Sequence, residues 1–432
     1  MSDEKRSQTG VDSKPAQPQI NAKERKTAMW RLFIFFACLY MADGLFQSGV
    51  YSQPLTNYMK ATLGWAPDHV TAFFTVFTIP WLIKPLYGMF SDFVPLFGYR
   101  RKSYLLGFGT LGALSFAYMS QLADPTKILV PLLLANISIA ASTALCGGVM
   151  VENGKKYAAS GSFVNQQWSW FFAATVIGSL AGGWFAERQL HGFQLACMVL
   201  SATMVGTAVA SWFTVREEKS QVNLAGLKAS FGALGRAFRQ RNLWLVGGFI
   251  FLYNYSPSFG TPLYYFQIDT LHFTQQFIGL LGALGAGASV VGGVLYAWLQ
   301  KRMTMKQLLN SCIFLGMLAQ LSYLLLAGEP SAFVLTVVNG VLGMVTIVSI
   351  MTLAADFCPD GAEGFSYALL MSIYNIAGQA SANSGAYMYV HLFHKQLVPL
   401  IWVSAATTAL AFILIPFLKL GKRMPGEKAS FD

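Results

Sequence analysis

Apolar residues in this chain come in long blocks separated by short polar ones. This rhythm is far coarser than the alternation of a strand or the stripe of a soluble helix. Each block approaches the roughly 20 residues that a helix needs to cross the hydrocarbon core of a bilayer. Twelve blocks meet that description, at 32–51, 70–90, 104–122, 128–150, 163–185, 193–215, 243–266, 277–299, 308–327, 333–355, 365–389 and 397–418. Glycine and proline inside them are no objection, because membrane helices tolerate both. The pattern predicts an all-α membrane protein with twelve transmembrane helices in two six-helix halves. The halves cover residues 30–215 and 243–420, around a polar loop at 216–242, with polar tails at 1–29 and 421–432.

Composition agrees with the pattern. Only 11% of the residues are charged, against about 25% in soluble domains, so most of the outer surface has to face lipid. The formal charge of +11 would suit a nucleic-acid partner, but the basic residues sit in short loops beside apolar blocks, where they set orientation instead. With the N-terminus on the cytoplasmic face, only Lys60, Lys127, Arg188 and Lys395 of the 30 Lys and Arg fall on the opposite face, and Lys84 lies within a block. Both termini are therefore expected to be cytoplasmic. The expected partners are membrane lipids and a small-molecule solute, with no nucleic acid, and the chain is expected to be a monomer. The short loops favour a bacterial inner membrane over an organelle. The five cysteines, Cys38, Cys146, Cys197, Cys312 and Cys358, form no CxxC and read as small packing residues. The halves echo each other: Pro54-Leu55 and Leu63 recur as Pro262-Leu263 and Leu271, and Leu86-Tyr87 as Leu295-Tyr296.

Gly88-Met-Phe-Ser-Asp92 followed by Gly98-Tyr-Arg100-Arg101-Lys102 resembles the signature between the second and third helices of the major facilitator superfamily. Gly88, Asp92, Arg100 and Arg101 are therefore candidates for a gate, since glycine permits close helix approach and the carboxylate can meet a cation. The wider stretch from Trp81 to Tyr104 is similar to the folate–biopterin transporter family within that superfamily. So is the run Leu353-Ala-Ala-Asp-Phe-Cys-Pro-Asp-Gly-Ala-Glu-Gly364, continuing through Ser372 to Asn375. The seventh block adds Pro257-Ser258 and Tyr264-Tyr265-Phe266. The resemblance implies the two-half transporter fold, alternating access, and a folate, pterin or similar solute. One departure bears on the solute. Family members often carry acidic residues within the fourth helix, ahead of a glutamate at its cytoplasmic end, whereas Ser142–Gly148 here has none, and only Glu152 matches.

Charge inside a membrane is costly and usually functional. Asp43 is the one acidic residue well inside a block. It shares a 3- and 4-residue spacing with Tyr40, Gln47 and Tyr51, which places the four on one helix face. Asn254, Ser258, Thr261 and Tyr265 form a second such stripe, and Ser372, Asn375, Gln379 and Asn383 a third. Three polar stripes on apolar helices are expected to face a watery path and bind the solute, or else to serve only helix–helix hydrogen bonds. Asp43 is also the candidate for taking up a driving proton, with facilitated diffusion or exchange as the alternatives. Lys84 reads as snorkelling to the inner face, and the dense aromatics near Trp168 as lipid-facing. The glycines from Gly279 to Gly293 serve close helix packing, not nucleotide binding. His391 and His394 make only a weak metal candidate, and Asn136-Ile-Ser138 lies inside a block, so it is discounted as a glycosylation site. No Walker loop or convincing catalytic constellation is found, and no cofactor is expected. A transporter-like sensor or assembly protein that binds without flux is the rival reading.

Overall fold

The computed structural model describes residues 22–157, 159–226, 241–358 and 363–418, with positions 228, 232, 420, 424 and 425 besides. The first tail to residue 21, Arg236 and Arg239 of the central loop, positions 359–362 of the second motif, and the last seven residues lie outside that description.

The first half runs through α1 (Ala22–Gln47), α2 (Gly49–Ala61), α3 (Pro67–Thr75), α4 (Ile79–Leu82), α5 (Lys84–Phe93), α6 (Lys102–Met119), α7 (Pro125–Tyr157), α8 (Ser160–Ala186) and α9 (Gln189–Thr214). The second half holds α10 (Arg241–Asn254), α11 (Gly260–Asp269), α12 (Gln275–Leu299), α13 (Met305–Leu321), α14 (Glu329–Asp356), α15 (Glu363–Tyr387) and α16 (Leu397–Leu410). Among the described residues nine helical stretches are long and apolar enough to cross a membrane. Three expected spans fall short of that measure. The third is α6, which begins on Lys102 and has only 18 residues. The seventh is cut into α10 and α11, of 14 and 10 residues. The eleventh, α15, carries the polar stripe from Ser372 to Asn383.

The loops gather at two ends of the bundle. At the tail end, Arg25 reaches the Tyr157 carbonyl and Glu217 accepts from the Arg101 and Lys102 amides. At the far end, Gln276 donates to Glu187 and Lys60 pairs with Asp269. The apolar cores divide as the sequence does. One large cluster joins Phe46, Phe116, Ile128, Phe193 and Leu200 of the first half, with Tyr265 entering from the second. Another joins Phe249, Ile313, Leu353 and Ile415 of the second half. Between the halves, α8 lies against α12 at close range. A Cβ on Gly183 would stand 2.7 Å from the Gln275 carbonyl oxygen, and one on Gly279 2.6 Å from that of Ser179. Only glycine admits that approach, which is the packing role expected of the α12 glycines.

Candidate functional site

Where the halves face each other, α1 and α2, the segment from α3 to α4, α7 and α15 line an open cavity of about 320 Å³. Because α1 is continuous through Gln47, Asp43 and Gln47 stay on one face, and the Gln47 side-chain amide donates to Asp43 Oδ1 at 2.8 Å. Because α15 is continuous, Asn375 and Gln379 also share a face. Together with Gln47, Tyr51, Ser52, Trp81 and Asn136 they line the cavity, with Phe74 and Phe77 as apolar walls. The Asn375 side chain makes no hydrogen bond to any described residue, so its amide is left to the cavity. Trp81 Nε1 donates to Asn136 Oδ1 at 3.1 Å, and the buried Asn136 in turn donates to the Leu132 carbonyl. A second cavity of about 320 Å³ shares Ser52 and Phe74 with the first and runs on to Gln53, Thr261, Tyr264 and Gly279.

Lys84 does not snorkel away from the interior. Its ammonium lies over the Trp81 ring, 4.4 Å from the centroid. The cavity lining carries several amides among aromatic rings, with Asp43 behind Gln47 and Lys84 behind Trp81. Such a lining offers donors, acceptors and stacking faces at once.

The remaining residues of the stripes lie elsewhere. Tyr40 is buried beside Phe36 and Cys146 in the tail-end core of the first half. Asn254 donates to the Tyr374 carbonyl at 2.7 Å, and the Ser258 amide donates to Ser381 O at 3.0 Å. Both line a separate cavity of about 380 Å³ inside the second half. Thr261 accepts from Thr71 Oγ1 at 3.0 Å across the seam. Ser372 donates to the Leu82 carbonyl, Asn383 donates to Thr75 Oγ1 at 2.7 Å, and Tyr265 donates to the Trp65 carbonyl at 2.6 Å, also across the seam. The spacing argument misses Asn136, Trp81 and the threonines Thr71, Thr75 and Thr78. The threonine spacing is that of one helix face, and Asn136 is as costly in lipid as the stripe amides, so both signals are present in the sequence.

Ion pairs distinguish the two ends. Among the described residues, the pairs that cross the seam, Lys60 with Asp269 and His391 with Asp68 at 3.0 Å, are at the far end. The Gln53 and Asn57 amides add hydrogen bonds to Gln275 there. At the tail end, Arg101 contacts Asp92 at 2.9 Å and Glu152 at 2.7 Å, and Arg100 contacts Glu152 at 3.3 Å, all within the first half. The far end is closed in this state. Gly88 has open space where a Cβ would go, so close helix approach is not what requires glycine there in this conformation. His391 has taken a carboxylate partner, and no cluster among the described residues could hold a metal ion.

Comparison with known proteins adds a second line of observation. The model of the BT1 family matches residues 46–420. A folate-biopterin transporter of Synechocystis sp. is 26% identical over 410 residues, covering 90% of this chain and 81% of the relative. Probable folate-biopterin transporter 6 of Arabidopsis thaliana is 25% identical, over 82% of this chain and 75% of its own. Among solved structures, the nucleoside transporter NupG aligns with a TM-score of 0.66 at 12% identity, covering 91% of this chain and 98% of that one. A D-xylose-proton symporter aligns with a TM-score of 0.65 at 12% identity, covering 93% and 99%. At such identity these two structures speak for the fold alone.

Proposed function

This chain belongs to the BT1 family, and from that premise we propose that it is a secondary transporter for a folate, a pterin or a similar planar heterocycle. The observation that carries the reading is the cavity on the seam, where Gln47, Asn136, Asn375 and Gln379 present amides among Tyr51, Phe74, Phe77 and Trp81. Amides can match the donors and acceptors on the edge of a heterocycle, and the aromatic rings can stack on its face. Lys84 balances a negative charge on the solute. Asp43, held by Gln47, takes up the driving proton. The halves rock about this site, with the far-end contacts made in the present state and broken in the alternate one. Arg100, Arg101, Asp92 and Gly88 steady the tail-end loop of the first half as it swings. The chain works as a monomer, crosses a cell membrane twelve times and keeps both termini in the cytoplasm.

Purified protein in liposomes, loaded in turn with folate, pterin and a nucleoside, tests the proposal. Counterflow of labelled folate or pterin exceeding that of the nucleoside supports it. Saturable binding without counterflow of any of the three would replace the carrier with a sensor.

A further inference from the structure

The far-end ion pair is lopsided. Lys60, at the end of α2, has a side chain only 14% exposed, whereas its partner Asp269, at the end of α11, is 57% exposed. The Lys60 ammonium also lies over the Tyr265 ring, 5.1 Å from the centroid. Both groups line a cavity of about 190 Å³ together with Trp65, Tyr265, Tyr389 and Lys395. Lys395 is exposed and forms no ion pair among the described residues. The other acidic residue of this rim, Asp68, already has His391 on its Oδ2 at 3.0 Å.

The pair joins the two halves, so parting them at this end takes Asp269 away from Lys60. Among the described residues Asp269 is the one ion-pair partner of Lys60, so its departure leaves a sheltered ammonium uncompensated, which is unfavourable. Any anion that replaces Asp269 therefore favours opening. The exposure of Asp269 means that a carboxylate arriving from outside can reach the same lysine. The cavity is smaller than the roughly 300–1,000 Å³ of ordinary ligand pockets, so it suits the charged end of a solute and not the whole molecule. Three aromatic side chains beside two lysines suit a carboxylate attached to a ring system.

We propose that this pocket is a first-contact site for a carboxylate-bearing solute, whose carboxylate displaces Asp269 from Lys60, with Lys395 as the second cation, and so unlatches the far end. The identity of the solute rests on the transport reading above; the exchange of anions does not.

The test measures the dissociation constants of folate, which carries carboxylates, and of unsubstituted pterin, which carries none. Quenching of tryptophan fluorescence reads them on the full chain in detergent, and counterflow is measured in parallel. Lys395→Gln is expected to raise the folate-to-pterin ratio of dissociation constants about threefold, the size of an exposed charge pair. Asp269→Asn removes the resident competitor and is expected to lower that ratio several-fold, the opposite of what loss of a merely structural bridge would do. A ratio that moves in neither variant, or that rises in Asp269→Asn, overturns the proposal. Both expected shifts without any counterflow would strike the transport reading and leave the pocket assigned. Counterflow with an unmoved ratio does the reverse.

Discussion

At the scale of single residues, Asn254 and Asn375 show how alike two side chains look before folding and how different they are afterwards. Each is an amide in an apolar block at stripe spacing. Asn254 spends its amide on the Tyr374 carbonyl, whereas Asn375 faces the cavity without a partner among the described residues. Replacing each by leucine should separate a packing role from a binding role. Asn254→Leu is expected to destabilise the protein by about 1 kcal/mol, because it removes the hydrogen bond from α10 to the Tyr374 carbonyl of α15, and thermal unfolding in detergent reads that loss. Asn375→Leu should barely move the unfolding midpoint and should raise the half-saturating solute concentration about three- to tenfold in counterflow. Asp43 invites a different substitution. In Asp43→Asn the partner of Gln47 remains polar but can no longer exchange a proton. Counterflow is expected to persist while uptake driven by an imposed proton gradient disappears, and a variant that still follows the gradient would remove Asp43 from coupling. Identity and spacing singled out Gln47, Asn375 and Gln379, which line one cavity, and Asp43, which is hydrogen-bonded to Gln47. They could not say which amide would be consumed by a backbone carbonyl, because that depends on which helix arrives alongside.

At the scale of elements, whether a stripe stays on one side depends on whether its helix is continuous. The eleventh span is one helix, α15, so spacing of 3 and 4 residues keeps Asn375, Gln379 and Asn383 on the side of α3 and α4. The seventh span stops at Asn254 and restarts at Gly260, and the rotation lost in between sends Asn254 and Ser258 into the second half while Thr261 meets Thr71. Pro257 supplies no amide hydrogen and disfavours helix just before it. Hydropathy cannot register such a break, because proline is tolerated in continuous membrane helices too. The interruption is fastened to α15: Ser381 donates to the Ser256 carbonyl, and a Cβ on Gly385 would fall 1.9 Å from the Ser258 carbonyl oxygen. Gly385→Val is therefore expected to force the two elements apart, at about 1–3 kcal/mol, and to lower the unfolding midpoint by several degrees.

At the scale of the molecule, the halves echo each other in structure where they echo in sequence. Pro54 follows a break at Ser48 in the first span, Pro262 follows the break in the seventh, and the two helices end beside each other at Lys60 and Asp269. Two-half architecture was legible from block lengths and the polar centre of the chain. The closed far end was not, since it depends on pairs such as Asp68 with His391 that lie 323 positions apart. Thr71 and Thr261 meet across this closure with hydroxyls 3.0 Å apart, so a cysteine at each position can be joined there by a disulfide or a short thiol crosslinker. Oxidised Thr71→Cys/Thr261→Cys protein is expected to lose flux, and a reductant to restore it. Undiminished counterflow after complete oxidation would show that the far end need not part.

The divided seventh span has a consequence for biosynthesis. The apolar run of its first piece, Leu243–Asn254, spans about 18 Å of helix at 1.5 Å per residue, short of a hydrocarbon core of roughly 30 Å. The Tyr374 carbonyl that receives the Asn254 amide is made 120 residues later. A nascent chain halted before α15 should therefore hold this segment poorly in the bilayer and leave it open to protease, until translation delivers the helix that secures it.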